Sequence, residues 1–141
     1  MAGNKIKNKD WSYISDPSLL VNIRKDLRQA LSEVINESLA SNIVIAVNEA
    51  CMNIMQHANN GAYKGLIDLH LHITDNEVVI NIKDEADPVD PETLKGRALD
   101  VIEPGGLGLH LMNDIMDSVK FVGNSDRKGN KLIMTKAIAD K

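Results

Sequence analysis

Residues 66–84 read LIDLHLHITDNEVVINIKD and carry the clearest structural signal in the chain. Apolar and polar residues alternate strictly from Leu66 to Ile73, and a second alternation follows the polar step at Asp75 and Asn76. Alternation with a period of two predicts strands with one buried face, and the polar step predicts a turn. We therefore predict an antiparallel hairpin with one apolar face. The apolar positions are Ile67, Leu69, Leu71, Ile73, Val78, Ile80 and Ile82.

Two helices are predicted upstream of this hairpin. Ser15, Asp16 and Pro17 form a helix-start signal, in which a capping residue precedes a proline in the first turn. We expect the first helix to be followed by a break at 36–41 and by a second helix at about 41–58. The apolar stripe of the first helix is Leu20, Ile23, Leu27, Leu31 and Val34.

The remaining segments complete the predicted fold. A short first strand is expected at about 11–14, a third helix at about 107–116, and a closing hairpin from 119–123 and 131–138. Strands that are grouped in hairpins, with helices beside them, favour an α+β fold over a doubly wound parallel sheet. We predict a two-layer sandwich in which about three helices cover one face of an antiparallel sheet.

Length and composition restrict the function classes. The chain has 141 residues, 43% of them hydrophobic, which fits one domain with a real core. A net charge of -4 argues against a protein that coats nucleic acid. The single cysteine, Cys51, excludes an internal disulfide, and no apolar run suggests a signal peptide or a membrane span. We expect a cytoplasmic protein with no direct nucleic-acid or membrane partner.

Polar residues interrupt the second predicted helix at a regular spacing. Glu49, Asn53 and His57 are four residues apart, so they form one stripe on an otherwise apolar helix. Such residues are costly to bury without partners. A carboxylate can accept a proton from a nucleophile, and an amide oxygen suits a hard cation such as magnesium. The alternative interpretation is a solvated helix face.

Two further segments are candidates for ligand binding. Asp84 follows an apolar strand, where a carboxylate can accept a hydrogen bond from an amino group such as that of adenine; otherwise it is a turn-forming acid before Pro88. Gly105, Gly106 and Gly108 precede the third predicted helix, whose free N–H groups can bind phosphates. Neither a Walker A motif nor a dinucleotide fingerprint is present.

These three segments, in this order, resemble the Bergerat-fold (GHKL) ATPases, the superfamily of gyrase, histidine kinases and the mismatch-repair ATPases. Within it, the chain is most similar to the serine kinases that act as anti-sigma factors, whose first box reads Glu, three residues, Asn, three residues, His. Histidine kinases usually carry a longer first box and a longer lid. The resemblance covers roughly 15–138 and implies a histidine-kinase-like ATP-binding domain at 15–141, after an N-terminal segment, 1–14, with a short strand.

The resemblance also implies cofactors and residue roles. ATP and magnesium are the expected cofactors. Glu49 would be the base that activates the acceptor hydroxyl, Asn53 would hold magnesium, and Asp84 would bind adenine. The other nucleotide-binding positions would be His57, Ala86, Gly105, Gly106, Leu107 and Gly108.

The function implied by the resemblance is that of a serine/threonine kinase that regulates transcription by partner switching. It would phosphorylate an anti-sigma-factor antagonist and bind a sigma factor, and a homodimer is possible. One departure favours a second hypothesis. The family usually has Asp, any residue, Gly after the second strand, whereas this chain has Asp84-Glu85-Ala86. Because Ala86 adds a methyl group where adenine packs, the alternative is a nucleotide-gated or inactive binding module. A detached histidine-kinase catalytic domain is a third, weaker hypothesis.

Overall fold

A computed structural model describes residues 7–86, 111–123 and 129–138 of the chain. Its five strands form one antiparallel sheet in the order β1-β2-β3-β5-β4. The strands are β1 (Lys7–Ile14), β2 (Leu66–Ile73), β3 (Glu77–Asp84), β4 (Ser118–Gly123) and β5 (Asn130–Ala137). The two long helices are α1 (Leu20–Ser32) and α2 (Glu37–His57). Short 3-10 turns, Pro17–Leu19 and Ala58–Gly61, precede α1 and follow α2.

The predicted hairpin is confirmed. In β2 and β3 the register pairs Ile67 with Asp84 and Ile73 with Val78. The turn between them is closed by Thr74, whose backbone N–H donates to the Glu77 carbonyl at 2.9 Å. Every apolar position that the alternation predicted is at most 2% exposed, so one face of this hairpin packs against the hydrophobic core.

The first strand is longer than the sequence predicted. β1 begins at Lys7, whereas the apolar pattern indicated only about 11–14. Among the described strands β1 pairs only with β2 and forms an edge of the sheet, where Asn8, Lys9 and Asp10 are exposed. Polar residues are ordinary on an exposed edge strand, and they conceal it from a search for apolar alternation.

The predicted helix start is confirmed, with one difference. The Asp16 carboxylate accepts a hydrogen bond from the Ser18 N–H at 3.0 Å, and Pro17 takes the first position after it. The first turn is 3-10, and α1 proper begins at Leu20. The predicted stripe packs into the core through Ile23, Leu27 and Leu31, which are at most 1% exposed.

The predicted break between the two helices was wrong. α2 already begins at Glu37, and Asn36 alone separates it from the turn after α1. The helix can begin there because the Asn36 side chain caps it, accepting the Leu39 N–H at 2.8 Å. Glu37 is held by Arg28 and by the Ser32 hydroxyl. Side-chain capping and ion pairing therefore continue the helix through a segment whose polarity resembles a loop.

The faces of α2 also differ from the prediction. Ile45, an apolar residue on the side of the helix away from the core, is 43% exposed, although apolar residues surround most of this helix in the sequence. One broad face is buried, formed by Ala40, Ile43, Val44, Ala46, Val47, Ala50, Cys51 and Met55. The sequence analysis found no apolar run of membrane-spanning length. By length and composition alone, however, α2 is long and apolar enough to cross a membrane, with a mean hydropathy of 1.2 over its most apolar window. Its packing in the core is the physical reason for this composition.

The end of the chain completes the α+β sandwich. Residues 111–115 are helical, and the beginning of this predicted third helix lies outside the described residues. Met112 and Met116 are at most 3% exposed and join the core. β4 and β5 form the predicted closing hairpin, and β5 lies between β3 and β4. This order brings the beginning of β5 next to the end of β3.

Candidate functional site

The best-defined polar group of the fold is the carboxylate of Asp84. It ends β3 and is 7% exposed. Its Oδ1 accepts two hydrogen bonds, from the Ala86 N–H at 2.9 Å and from the Asn130 side-chain amide at 3.0 Å. Within the described residues Oδ2 makes no hydrogen bond. The carboxylate therefore has a fixed orientation and one oxygen available as an acceptor.

Burial dominates the electrostatics of Asp84. Desolvation raises the pKa of this carboxyl above its ordinary value of 3.8, while the hydrogen bonds from Asn130 and Ala86 lower it. The net direction is upward because two neutral donors replace only part of the lost hydration. A buried carboxylate with an unpaired oxygen gains more from a ligand donor than a hydrated one does.

Asn130 was not among the predicted site residues. It begins β5 directly opposite Asp84 in the register and is 7% exposed. The sequence contains one indirect signal, a Gly129-Asn130 pair at the start of the last strand. Only the order β3-β5 places this amide beside Asp84, and local patterns do not report which strands become neighbours.

Ala86 and Gly129 close the segment that follows β3. The Ala86 side chain is 1% exposed, and its carbonyl accepts the Gly129 N–H at 2.9 Å. Gly129 has φ of 115°, and a Cβ at this position would lie 3.0 Å from the Asp84 carbonyl oxygen. Glycine is thus required at 129 by its backbone conformation and by close approach. The methyl group of Ala86 is packed inside the protein and not presented to solvent.

Tyr63 is a second residue that the sequence analysis did not select. Its ring is 7% exposed, and its hydroxyl accepts the Glu85 N–H at 2.9 Å and donates to the Leu66 carbonyl at 2.6 Å. Desolvation raises the pKa of Tyr63, with Asp84 and Glu85 adding to the effect. A tyrosine in a loop with no apolar periodicity around it gives no signal of this role.

The polar stripe of α2 is divided by its exposure. Glu49 and Asn53 are half-buried, whereas His57, the last residue of the helix, is exposed. The Asn53 Oδ1 atom is buried and has no hydrogen-bond partner among the described residues. An unpaired buried amide oxygen is costly. It therefore fits a site that is completed by a cation.

The metal-binding capacity of the stripe is limited. Within residues 7–86, 111–123 and 129–138, no group of three or more His, Cys, Asp or Glu side chains can hold a metal ion. Magnesium usually takes one or two protein oxygens and completes its shell with water and substrate phosphates. A single amide oxygen on α2 fits that mode and does not fit an all-protein cage.

The predicted residues fall into two groups and a remainder. Asp84 and Ala86 share one hydrogen-bonded cluster, which also holds Asn130 and Tyr63. Within the described residues no hydrogen bond joins this cluster directly to Glu49, Asn53 or His57. The cluster is tied only to the end of α2, where the Tyr63 N–H donates to the carbonyl of Ala58, the residue after the helix, at 3.3 Å. The remaining predictions, Gly105, Gly106, Leu107 and Gly108, lie outside the described residues.

A separate hollow lies on the sheet face away from the helices. Its volume is about 440 Å³, and it is lined by Asp68, His70, Lys83 and Lys131 among others. None of the predicted site residues that the structure describes lines it. Because the buried Asp84 carboxylate and the unpaired Asn53 oxygen lie elsewhere, we place the candidate site at the end of β3 and not in this hollow.

Comparison with known proteins settles the family. The Histidine kinase-like ATPase domain family matches residues 14–136. The chain belongs to this family. Membership in the histidine kinase-like ATPase family implies the use of ATP. The matched range includes α1, α2, β2, β3 and β4, and all of β5 except its last residue.

Curated relatives of this ATPase domain are serine-protein kinases called RsbW. That of Bacillus velezensis is 34% identical over 100 residues, which are 65% of this chain and 61% of that protein. That of Listeria innocua is 33% identical over 105 residues, 69% of this chain and 65% of that protein. That of Staphylococcus aureus is 35% identical over 105 residues, 67% and 63% respectively. The chain thus spans less than two thirds of the length of these relatives.

A solved structure supports the fold of the histidine kinase-like ATPase domain. The crystal structure of the RsbU and RsbW domains of a Mycobacterium tuberculosis protein superposes with a TM-score of 0.67. The match covers 96% of this chain and 34% of that one at 16% identity. At this identity the likeness shows the shared fold alone, and it confirms the α+β architecture.

Proposed function

We propose that this domain binds ATP with magnesium in the cytoplasm and transfers the terminal phosphoryl group to a serine or threonine of a small anti-sigma-factor antagonist. The same domain binds and silences a sigma factor, and phosphorylation of the antagonist switches the two partners. The observation that carries the proposal is the buried Asp84 carboxylate, with Oδ1 fixed by two donors and Oδ2 available. Family membership and the RsbW relatives support it.

The adenine end of the proposed site is the end of β3. Asp84 Oδ2 is an acceptor in a desolvated setting, and the exocyclic amino group of adenine is a donor of matching chemistry. The orientation of the carboxylate is set before the ligand arrives, because Ala86 and Asn130 already hold Oδ1. Preorganisation of this kind lowers the cost of binding.

The phosphate end of the proposed site is the stripe of α2. Asn53 Oδ1 would hold magnesium, which neutralises charge on the phosphates when it is bound. Glu49 would accept the proton of the attacking hydroxyl as its oxygen bonds to the terminal phosphorus and the bond to ADP breaks. His57, exposed at the end of the helix, and the segment 105–108 are proposed to border the phosphates.

A binding titration tests the nucleotide half of the proposal. Isothermal titration of the whole chain with magnesium-ATP is expected to give saturable binding, and omission of magnesium is expected to weaken it. Transfer of radiolabel from ATP to an added antagonist protein then tests the kinase half. Absence of ATP binding at millimolar nucleotide would contradict the proposal.

Ala86 favours a second candidate function, a binding module that associates with its partners without phosphate transfer. Its methyl group is buried beside Asp84, where the family usually has glycine, and it occupies volume next to the proposed adenine pocket. Ala86→Gly discriminates the two. If the methyl group restricts the pocket, this variant binds ATP more tightly than wild type and gains transfer; if the kinase is already active, transfer changes little.

A further inference from the structure

Tyr63 lies at the point where β2 and β3 separate. The ladder ends with the pair Ile67 and Asp84, and the next position along would set Leu66 opposite Glu85. In place of a direct bond between these two residues, the Tyr63 hydroxyl accepts the Glu85 N–H at 2.9 Å and donates to the Leu66 carbonyl at 2.6 Å. One oxygen atom therefore satisfies both backbone groups and keeps the two strands apart.

The position of the Tyr63 ring is itself fixed. A Cβ at Gly65 would lie 2.7 Å from the Tyr63 hydroxyl oxygen and 2.8 Å from two ring carbons. Glycine at 65 thus leaves the space that the ring occupies. The Gly65 carbonyl accepts the Ser15 N–H at 2.9 Å, which ties this backbone to the end of β1. The hydroxyl is consequently held from both sides and has little freedom to move.

The bond to Glu85 acts on Asp84 through the backbone. The Glu85 N–H belongs to the peptide unit that links Asp84 to Glu85, so anchoring it fixes the direction in which the chain leaves Asp84. With the chain leaving in that direction, the Ala86 N–H returns to Asp84 Oδ1 at 2.9 Å. Of the two bonds that orient Oδ1, and with it Oδ2, the one from Ala86 depends on where Tyr63 holds the Glu85 peptide, while the other comes from Asn130.

We propose that Tyr63 is a positioning residue for adenine recognition: its hydroxyl holds the Glu85 peptide so that Asp84 Oδ2 is directed at the amino group of adenine. This inference rests on the proposed nucleotide binding. Tyr63 itself does not contact the ligand in this scheme. Tyr63 therefore affects only the binding energy of the adenine amino group, which Asp84 contacts.

Tyr63→Phe removes the hydroxyl and keeps the ring that fills the space at Gly65. Loss of the hydroxyl leaves two buried backbone groups without their partner, so some stability is lost as well. Tyr13→Phe is a matched control, because Tyr13 is the other tyrosine of the chain and its hydroxyl also donates to a partner, Asp26, at 2.7 Å. Tyr13 lies two strands from Asp84 in the same row of the sheet.

The experiment compares two nucleotides, ATP and purine riboside triphosphate, which lacks the exocyclic amino group. Dissociation constants with magnesium are measured by calorimetry for wild type, Tyr63→Phe and Tyr13→Phe, with the fold of each checked by circular dichroism. Wild type and Tyr13→Phe are expected to prefer ATP by about tenfold or more, the value of one charge-assisted hydrogen bond. Tyr63→Phe is expected to bind both nucleotides with nearly equal affinity.

The outcomes separate this inference from the function on which it rests. A Tyr63→Phe variant that is folded and keeps the full preference for ATP overturns the positioning role and leaves the proposed function standing. A wild-type protein that binds neither nucleotide, or binds both equally, overturns the proposed adenine contact and the inference with it. A purely structural role for Tyr63 would weaken both nucleotides by the same factor, which also overturns it.

Discussion

The side-chain amide of Asn130 donates a 3.0 Å hydrogen bond to Oδ1 of Asp84, from the opposite position in the β3–β5 register. Together with the Ala86 N–H, this amide occupies one oxygen of a buried carboxylate and leaves the other without a hydrogen bond in the part of the chain that the structure describes. Two residues that are 46 positions apart in sequence thus define the direction in which a ligand donor must approach.

Asp84→Asn is expected to weaken ATP binding. Oδ1 is retained, so the bonds from Ala86 and Asn130 can persist, but the acceptor oxygen is replaced by an amide donor. We expect a loss of about 1.5–3 kcal/mol, which is roughly 10- to 150-fold in dissociation constant by calorimetry. Asp68→Asn is the matched control, because Asp68 lies on the opposite face of the sheet and accepts from Ser12. Equal losses in both variants would show a general charge effect and not an adenine contact.

The raised pKa of Asp84 predicts a pH dependence of stability. The folded protein binds this proton more tightly than the unfolded chain, because desolvation raises the pKa above 3.8. Asp84 therefore contributes stability that is fully present below the unfolded value and is lost as the pH rises through the folded value. The free energy of unfolding of wild type, relative to that of Asp84→Asn, is expected to fall as the pH rises from the unfolded pKa to the folded pKa, and then to level off. Urea denaturation of both proteins between about pH 3 and 7 measures it. A constant difference would show that burial does not destabilise the ionised carboxylate.

The fold was predictable where one face of a helix or strand is buried and the other is exposed to solvent. Such alternation placed β2 to the residue and identified the core positions of β3. The alternation failed to predict elements whose residues are polar although they are helical or extended. β1 is polar because it is a sheet edge. The beginning of α2 is polar because the Asn36 side chain accepts the Leu39 N–H and Glu37 pairs with Arg28.

The capping role of Asn36 gives a stability prediction. Asn36→Ala removes the acceptor of the Leu39 N–H at the beginning of α2, and we expect a loss of about 1 kcal/mol in the free energy of unfolding. Asn36→Asp keeps the acceptor and adds a favourable charge at the helix N-terminus, so it is the control and should retain wild-type stability. Chemical denaturation of the three proteins decides it. If alanine and aspartate behave alike, the segment 36–41 is closer to the loop that its polarity suggested.

The candidate site was predictable only in part, for a related reason. Asp84 and the stripe of α2 stand out locally, since Asp84 comes at the end of an apolar strand pattern and the stripe interrupts an apolar helix. Asn130 and Tyr63 do not, because their roles come from strand order and from the space left at Gly65. Residues that act through register or through a missing side chain leave no pattern in their own neighbourhood of the sequence.

The stripe of α2 supplies the last prediction, a division of labour between Glu49 and Asn53. Both are half-buried, but a carboxylate can take a proton, whereas an amide can only coordinate a cation or form hydrogen bonds. Glu49→Gln keeps the shape and removes the base, so we expect it to abolish phosphate transfer while ATP binding and partner binding survive. Asn53→Ala removes the buried oxygen that has no other partner among the described residues, so it should lose magnesium-dependent ATP binding as well as transfer. Removing an unsatisfied polar atom also relieves a cost, so Asn53→Ala should be at least as stable as wild type without ligand. Radiolabel transfer, calorimetry with and without magnesium, and thermal denaturation of the three proteins measure these effects. If Glu49→Gln transfers phosphate as fast as wild type, Glu49 is not the base and its position on α2 is structural.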